Sequence, residues 1–340
     1  MTTFWSPRGR AELLTVEEPS QVGAARRAAM SFAAALGLDE SSVGNVGIVA
    51  TEIAGNLAKH ARGGRLVVQG IEQGARTAVE LLAVDSGPGM ADPERCLQDG
   101  YSTAGTPGTG LGAARRLADE FDLFSVPGQG TALVARFWTR GGDAAPSAFR
   151  IGALCLPSPG ERVSGDSWCA QVDGARALLL VVDGLGHGEQ ANVAAVRAVE
   201  RFRDLGPLPP GELLSRLHAP LRDTRGAAIL VAQVDSERGI VTCSGVGNIA
   251  GTIVTGDQTR SLVSHSGIVG HQMVKVQEFV YPWTRSSALV LASDGIRSQW
   301  RLGDQPGAFR RDPAIVASLI WRGFTRGRDD VTVLMIDAAS

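Results

Sequence analysis

The segment that most restricts how this chain can fold is GTPGTGLG at residues 105–112, which runs directly into a helix-forming stretch. Glycine at alternate positions lets the backbone adopt conformations closed to other residues and approach a ligand closely. The first backbone N–H groups of a helix also form a binding site for an anion such as phosphate. The sequence therefore predicts a phosphate-binding loop followed by a helix over residues 112–121.

Two polar motifs precede this loop. Glu52 and Asn56 lie four residues apart in a segment, 42–61, whose apolar residues repeat with helical spacing, so both side chains share one helix face. A carboxylate there can activate a hydroxyl group, and an amide oxygen can bind Mg²⁺. The motif DSGPG at residues 85–89 follows a predicted buried strand, where a carboxylate and close backbone can contact a nucleotide base.

The order of the predicted elements favours an α+β fold. The loop lacks the GK[ST] signature of a P-loop, and its glycines do not fit the GxGxxG pattern of a βαβ unit. Helices and strands do not alternate strictly, which disfavours a doubly wound parallel sheet. Besides the helix at 42–61, the sequence predicts a helix at 21–36 and strands at 65–69, 77–84 and 130–138. The second half is richer in predicted strands, at 151–156, 177–182, 227–234, 240–245, 249–254, 287–292 and 331–336, with helices at 189–205, 211–222 and 312–323.

In combination, Glu52 with Asn56, DSGPG and GTGLG resemble the nucleotide-binding boxes of the GHKL ATPases. Within that group the similarity is to the small anti-sigma-factor and stressosome serine kinases, the switch kinases. It covers about residues 14–138. The resemblance implies a Bergerat-type α/β sandwich that binds Mg-ATP and phosphorylates a serine or threonine of a STAS-domain regulator.

The same resemblance assigns roles to individual residues. Glu52 would activate the substrate hydroxyl, and Asn56 would hold the Mg²⁺ that accompanies ATP. Asp85 would bind the amino group of adenine. The other implied ATP-binding residues are Gly87, Gly89, Gly108, Gly110, Leu111, Gly112 and Thr131.

In the second half of the chain, aspartates mark the boundaries of apolar runs. Asp183 follows LLLVV, Asp294 follows LVLA, and Asp329 and Asp330 precede VTVLMI, while Asp166 stands in the segment GDS. Carboxylates at the ends of buried strands can converge, and such hard oxygen ligands suit Mg²⁺ or Mn²⁺. Two ions held together can activate a water molecule against a phosphate ester. The pattern predicts a metal-dependent site at strand ends.

These segments, with VVDGLGHG, CSGVGN and SHSG, resemble the metal-dependent protein phosphatases of the 2C type, in the SpoIIE-like branch that includes the stressosome feedback phosphatase. The similarity covers about residues 150–338. It implies an α/β/β/α sandwich with two Mn²⁺ or Mg²⁺ ions that removes phosphate from phosphoserine or phosphothreonine. The implied ligands are Asp183, bridging both ions, the Gly184 carbonyl, Asp166, Asp294 and Asp329, with Asp330 the less favoured alternative to Asp329.

A linker is predicted where RGGDAAPS, at residues 140–147, separates two apolar regions. A chain of 340 residues suits two domains. The sequence thus predicts a kinase-like ATP-binding domain at 1–139, a linker at 140–149 and a phosphatase domain at 150–340.

Composition excludes several other classes of protein. The net charge of −2 shows no basic excess that would favour nucleic acid or an anionic membrane as a partner. Apolar runs are far shorter than the roughly 20 residues that span a bilayer, and the first residues form no apolar signal core. Four cysteines form no CxxC pair, which disfavours structural zinc and disulfides. We expect a cytoplasmic protein; its oligomeric state is left open.

The sequence leaves three hypotheses for the combined function. The favoured one is a bifunctional switch that phosphorylates a STAS-domain regulator and dephosphorylates the same or a related regulator. The alternative is an ATP-gated clamp on a sigma factor or STAS partner without phosphotransfer, and Glu52 argues against it because a clamp needs no carboxylate there. A third is that the phosphatase acts on its own kinase domain, which a linker reaching only about 30 Å would restrict.

Overall fold

A computed structural model of the chain describes residues 2–98, 110–141, 147–273 and 275–339. The chain forms two compact units, each built from more than one stretch of sequence. The N-terminal unit comprises Ala11–Asp143 and Leu302–Arg322, and the C-terminal unit comprises Met1–Arg10, Ala144–Arg301 and Gly323–Ser340. Both units combine sheets with helices, which confirms the predicted α+β class.

The elements of the first 141 residues are β1 (Thr3–Pro7), β2 (Glu12–Thr15), α1 (Pro19–Ala35), α2 (Glu40–His60), β3 (Arg65–Gln73), β4 (Arg76–Val84), α3 (Pro93–Cys96), α4 (Gly110–Leu117), β5 (Glu120–Ser125) and β6 (Thr131–Trp138). Those that follow are β7 (Phe149–Leu156), β8 (Asp166–Asp173), β9 (Arg176–Gly184), α5 (Glu189–Leu205), α6 (Pro210–His218), β10 (Ala227–Asp235), β11 (Ile240–Val246), β12 (Ala250–Thr255), β13 (Gln258–Ser261), β14 (Phe279–Pro282), β15 (Ser287–Ala292), α7 (Pro313–Phe324) and β16 (Val331–Ala338).

The N-terminal unit is an α/β sandwich. Its antiparallel sheet has the order β2-β3-β4-β6-β5. Helices α1, α2 and α4 cover one face, because their apolar stripes and alternate strand residues form one buried core. The predicted stripe of α2 is buried as expected, at Val46, Val49, Ile53 and Leu57.

The other face of this sheet carries a buried charged network. Arg136 on β6 lies directly opposite Glu80 on β4 and Glu120 on β5. Its guanidinium donates to Glu80, to Glu120 at 2.9 Å, and to both carboxylate oxygens of Asp312 at 2.7 Å. Asp312 immediately precedes α7 and accepts a hydrogen bond from the backbone N of Ala314 at 2.8 Å. The network therefore fixes the start of α7 to the sheet of the N-terminal unit.

The C-terminal unit holds two antiparallel sheets packed face to face. One runs in the order β14-β11-β10-β9-β8-β1 and the other in the order β13-β12-β15-β16-β7. Buried residues from both sheets form the core between them. Helices α5 and α6 cover the outer face of the first sheet through a second apolar cluster.

Several predicted elements have different boundaries in the structure. The helix predicted at 112–121 ends at Leu117, because the backbone N of Asp119 bonds to the carbonyl of Arg136 and its carboxylate accepts from the N of Trp138 at 2.7 Å. These bonds start β5 where a helix was expected. The helix predicted at 211–222 ends at His218 and continues as a short 3₁₀ turn.

The structure also contains strands that the sequence did not indicate, namely β1, β2, β5, β8, β13 and β14. Strand β8 matters most, since it lies between β9 and β1 and seven of its eight residues are buried. The prediction placed Asp166 where a strand stops; it is instead the first residue of β8.

A segment near each end of the chain groups with the unit formed mainly by the other half. Met1–Arg10 groups with the C-terminal unit because β1 pairs with β8, and Leu302–Arg322 groups with the N-terminal unit. Within the predicted linker 140–149, residues 142–146 lie outside the described part of the chain. Among the described residues, no helix combines the length and apolar character needed to cross a bilayer.

Candidate functional site

In the N-terminal unit, Glu52 and Asn56 lie on successive turns of α2 and are half-buried. The start of α4 packs directly against Glu52: a Cβ atom added to Gly110 would lie 2.3 Å from Glu52 Oε2. A larger residue at position 110 would fit only if the Glu52 carboxylate moved aside. The structure thus brings the carboxylate of the first predicted motif to the helix N-terminus of the third.

Asp85 follows β4 and is buried, with 9% of its surface exposed. Its Oδ1 accepts a hydrogen bond from the backbone N of Gly87 at 2.6 Å, and its own backbone N donates to the carbonyl of Thr131 at 3.0 Å. Burial raises the pKa of Asp85, while the Gly87 N–H and the charge of Arg322 oppose that rise. The carboxylate is therefore fixed in a pocket of low polarity at the end of β4.

The loop between β5 and β6 closes against the DSGPG motif. Gly89 has φ of +67°, and a Cβ atom there would lie 2.2 Å from the Val126 carbonyl. The hydroxyls of Ser125 and Thr131 are 2.9 Å apart, and Ser125 Oγ also accepts from the N of Met90 at 2.8 Å. The loop therefore holds Thr131 beside Asp85 and against the DSGPG motif.

The glycine-rich loop is described only in part. Gly110, Leu111 and Gly112 form the first turn of α4, with Gly112 buried. Gly108, which was also predicted to bind ATP, lies outside the described residues.

One residue at this site was not anticipated. The guanidinium of Arg322, near the end of α7, donates a hydrogen bond to the backbone carbonyl of Asp85. The Arg65 guanidinium lies over the ring of the neighbouring Trp321, 4.2 Å from its centre. A sequence separation of 237 residues hides the contact between Arg322 and Asp85 from pattern analysis. The available signal was the arginine that ends the apolar run of PAIVASLIWR.

The C-terminal unit gathers the predicted aspartates. Asp166 and Asp183 lie directly opposite each other on β8 and β9. Asp330 reaches the same strand end, since a Cβ atom added to Gly165 would lie 2.7 Å from Asp330 Oδ2. Gly184 lies at the same strand end, because its backbone N donates a hydrogen bond to the Gly165 carbonyl at 3.0 Å.

The remaining two aspartates flank this group. Asp294 follows β15 and Asp329 precedes β16, two strands that pair with each other. Asn248 donates to Asp294 Oδ2 at 2.6 Å and so orients that carboxylate. Asn248 ends the segment CSGVGN, and no role was predicted for it from the sequence.

The charges of these carboxylates act on one another. Burial raises the pKa of Asp183 to about 7, with the charges of Asp294, Asp329 and Asp330 adding to the rise. Burial raises the pKa of Asp166 as well, and the charge of Asp183 reinforces it. Asp294 and Asp330 have raised pKa values for the same two reasons, burial and a neighbouring carboxylate. Such an array is stabilised by cations.

Two oxygens in this group are buried and without a hydrogen-bond partner among the described residues, Asp166 Oδ2 and Asp330 Oδ2. Leaving a carboxylate oxygen buried and unpaired is costly, and a divalent cation would satisfy it. The described residues hold no group of three or more His, Cys, Asp or Glu side chains already at metal-binding spacing. The chemistry of the donor set, rather than its spacing, fits Mg²⁺ or Mn²⁺.

The structure gives Asp330 more weight than the sequence did. Its Oδ1 accepts from the backbone N of Ser158 at 2.7 Å, and its Oδ2 lies buried near Asp166. Asp329 is half-buried, and its Oδ1 accepts from the N of Asp330 at 3.0 Å. Both residues remain candidate ligands.

Comparisons with known proteins match each half of the chain to a different family. The histidine kinase-like ATPase domain family matches residues 15–137, and the Stage II sporulation protein E (SpoIIE) family matches residues 173–339. The serine/threonine-protein kinase RsbT of Bacillus subtilis (strain 168) is 33% identical over 117 residues, which make up 34% of this chain and 88% of RsbT.

Two solved structures share the fold of about half the chain. One, from work on the bacterial stressosome as a modular system adapted to control secondary messenger signaling, covers 55% of this chain and 98% of its own, with TM-score 0.52 and 24% identity. The other, RsbX in complex with magnesium, covers 58% of this chain and 98% of its own, with TM-score 0.50 and 18% identity. Residues 173–339 match the SpoIIE family, and through its histidine kinase-like ATPase domain the chain belongs to the family of the kinase RsbT.

Proposed function

We propose that this protein is a bifunctional switch enzyme of a partner-switching pathway. Its N-terminal unit transfers phosphate from Mg-ATP to a serine or threonine of a STAS-domain regulator. Its C-terminal unit removes phosphate from phosphoserine or phosphothreonine with two Mn²⁺ or Mg²⁺ ions. The similarity to RsbT and to SpoIIE supports the two halves, and we place the exchange in the cytoplasm, as the sequence predicts.

In the kinase reaction, Glu52 accepts the proton of the substrate hydroxyl, and Asn56 holds Mg²⁺ one turn further along α2. Asp85 accepts a hydrogen bond from the amino group of adenine, beside Gly87, Gly89 and Thr131. The first N–H groups of α4 donate to the phosphates. Bound ATP would supply the phosphoryl group.

In the phosphatase reaction, Asp183, Asp166 and the Gly184 carbonyl would hold the ions from the first sheet. Asp294, oriented by Asn248, and Asp329 or Asp330 would hold them from the second. The bound ions would supply an activated water molecule. The carboxylates stay ionised once the ions are present, since the opposite charge lowers their pKa values.

The observation that carries the kinase assignment is the contact of the Glu52 carboxylate with Gly110, at the N-terminus of α4. A nucleotide-gated clamp requires only the binding groups, whereas phosphotransfer also requires a proton acceptor beside the phosphates. The position of Glu52 favours the enzyme over the clamp.

The test uses the full chain, γ-³²P-ATP, Mg²⁺ and a STAS-domain protein encoded near its gene, followed by a chase with excess unlabelled ADP and Mn²⁺. We expect label to appear on the partner and then to disappear. Glu52→Gln is the matched variant, because it keeps the shape and removes the proton acceptor; it should bind ATP and transfer no label. Nucleotide binding by the wild type without any transfer would support the clamp, and label that persists would remove this partner as the phosphatase substrate.

A further inference from the structure

The end of α7 lies where the chain passes from one unit to the other. Leu302–Arg322 belongs to the N-terminal unit and Gly323–Ser340 to the C-terminal unit. Residues on either side of this point contact the two candidate sites.

On the nucleotide side, the Arg322 guanidinium donates to the backbone carbonyl of Asp85. Trp321 stacks with Arg65, which lies opposite Val84, the residue before Asp85. The last turn of α7 within the N-terminal unit therefore rests on the strand end that carries the predicted adenine-binding carboxylate.

On the metal side, the next residues hold the loop that carries Asp294. The Phe324 carbonyl accepts from the backbone N of Arg297 at 2.9 Å, and the backbone N of Arg326 donates to the Gly295 carbonyl at 2.8 Å. Thr325 and Ile296 form an isolated β-bridge. These bonds begin one residue after Asp294 in the sequence, and Asp329 follows Arg326 by three residues.

The two sets of contacts are separated by very little chain. From Arg322 to Phe324 the backbone can extend by at most about 7 Å. The other end of α7 is fixed by the bidentate pair of Arg136 with Asp312. A helix of 12 residues anchored at its start moves as one body, so a shift of Arg322 must be taken up by the few residues that follow it.

We propose that Arg322 is a positioning residue for the nucleotide site, and that residues 323–326 make the Asp294 loop of the phosphatase respond to bound nucleotide. The inference rests on the proposed ATP-binding and phosphatase activities. A nucleotide that fixes Asp85 favours the conformation in which the Arg322 guanidinium is hydrogen-bonded to the Asp85 carbonyl. In that conformation residues 323–326 are held against Gly295 and Arg297. A ligand shifts the balance between two conformations only by binding one of them more tightly, so ATP must bind more tightly when this hydrogen bond is formed.

The first measurement is hydrogen–deuterium exchange of the full chain with and without a non-hydrolysable ATP analogue and Mg²⁺. We expect the analogue to slow exchange at least threefold in peptides covering 295–297 and 324–326. In Arg322→Ala this slowing should vanish at saturating analogue, and Arg322→Lys, which keeps one donor, should restore part of it. Arg285→Ala, at an exposed turn, is the matched control and should behave as wild type.

The second measurement is the Mn²⁺-dependent hydrolysis of p-nitrophenyl phosphate in the same samples. We expect saturating analogue to raise the wild-type rate at least threefold and to leave the Arg322→Ala rate unchanged. If wild type binds the analogue and hydrolyses the substrate, yet both readouts stay within twofold or the rate falls, the coupling is overturned and the proposed function stands. Absence of binding and hydrolysis in wild type overturns both. A full response in Arg322→Ala overturns the role of Arg322.

Discussion

Asp183 faces Asp166 across two paired strands, in a unit where three further carboxylates act on it. Such a cluster of carboxylates destabilises the folded protein unless cations bind to it. Its presence therefore indicates a functional site rather than a contribution to stability. The Glu52 carboxylate, in turn, occupies the space that a side chain at position 110 would need.

A substitution in one site should abolish the activity of that site and leave the activity of the other unchanged. Asp183→Asn should reduce metal-dependent phosphatase activity by a factor of 100 or more and leave transfer from ATP intact, because it removes a proposed metal ligand. Asn56→Ala should do the reverse, since it removes the proposed Mg²⁺ ligand of the ATP site. Both activities are measured on the same preparations, with Asp257→Asn at an exposed turn as the control. Loss of both activities in either variant would contradict the assignment of two sites.

The stability of the metal-free protein should depend on pH through Asp183. Its folded pKa of about 7 lies above the ordinary 3.8, so the folded state binds the proton more tightly. The stability contributed by that proton is present below pH 3.8 and is lost as the pH rises through 7. With chelator present, Asp183→Asn should therefore melt above wild type at pH 7.5, and the margin should shrink towards pH 5.

Excess Mn²⁺ is the control for this titration, because a bound cation removes the penalty of ionising Asp183. It should raise the melting temperature of wild type at pH 7.5 and abolish the advantage of Asp183→Asn. A margin that is independent of pH would show that Asp183 is not the titrating group.

Gly110→Ala should disable the ATP site through contact with Glu52. The added Cβ would lie 2.3 Å from Oε2, which requires the carboxylate or the start of α4 to move. We expect phosphotransfer to fall at least tenfold, while the phosphatase rate is retained. Gly44→Ala, on α2 with open space around the added Cβ, is the matched control and should gain up to about 1 kcal/mol in helix stability. Full activity in Gly110→Ala would contradict the closeness of Glu52 to α4.

At the scale of elements, periodicity predicted the helices of the N-terminal unit and the apolar strands of the C-terminal unit well. Helix α2 and strand β15 agree to within two residues with the predictions at 42–61 and 287–292. Strand β8 was missed because it carries Gln171 and Ser167 among its buried residues, which breaks the apolar run that marked the others.

The sites were foreseen only where motif residues are close in sequence or sit at strand ends. Asn248 and Arg322 were missed because each acts through a residue far along the chain, Asp294 and Asp85 respectively. A mostly buried helix such as α7 is recognisable from its apolar sequence, but the sequence does not say which core receives it.

Breaking the anchor of α7 should destabilise the N-terminal unit. Arg136→Met leaves the buried Glu80 and the Asp312 carboxylate without their cation, at a cost of about 3–5 kcal/mol. Urea unfolding measures the change. Arg176→Met is the control, because Arg176 is mostly exposed in its pair with Asp235 and should cost less than about 1 kcal/mol. Equal losses in the two variants would show that the network does not secure the helix.

At the scale of the whole molecule, each unit includes a segment from the other end of the chain. Strand β1 pairs with β8 through Thr3, Phe4 and Trp5, although the rest of the first 143 residues belongs mainly to the N-terminal unit. Conversely, most of helix α7 belongs to the N-terminal unit, although it lies near the C-terminus of the sequence.

A chain cut at the predicted linker should therefore remain one particle. With a protease site introduced in 140–149, cleavage leaves β1 on the first fragment and its partner β8 on the second. It likewise leaves Arg136 on the first fragment and Asp312 on the second. We expect the cut protein to elute from a sizing column at the volume of the intact chain, and to separate only in denaturant. Separation in native buffer would contradict the exchange of segments.

The late position of α7 in the chain has a consequence for biosynthesis. The sheet face that bears Glu80 and Arg136 is translated before residue 140, but Asp312 and α7 follow some 170 residues later. At about 5–20 residues per second, the ribosome needs roughly 10–35 s to supply them. During that interval the nascent ATPase domain lacks α7 and lacks Asp312, one of the three carboxylates that pair with Arg136. We expect the growing chain to need chaperones until translation of the C-terminal unit is almost finished, and an ATPase domain released early by truncation would lack its last structural element.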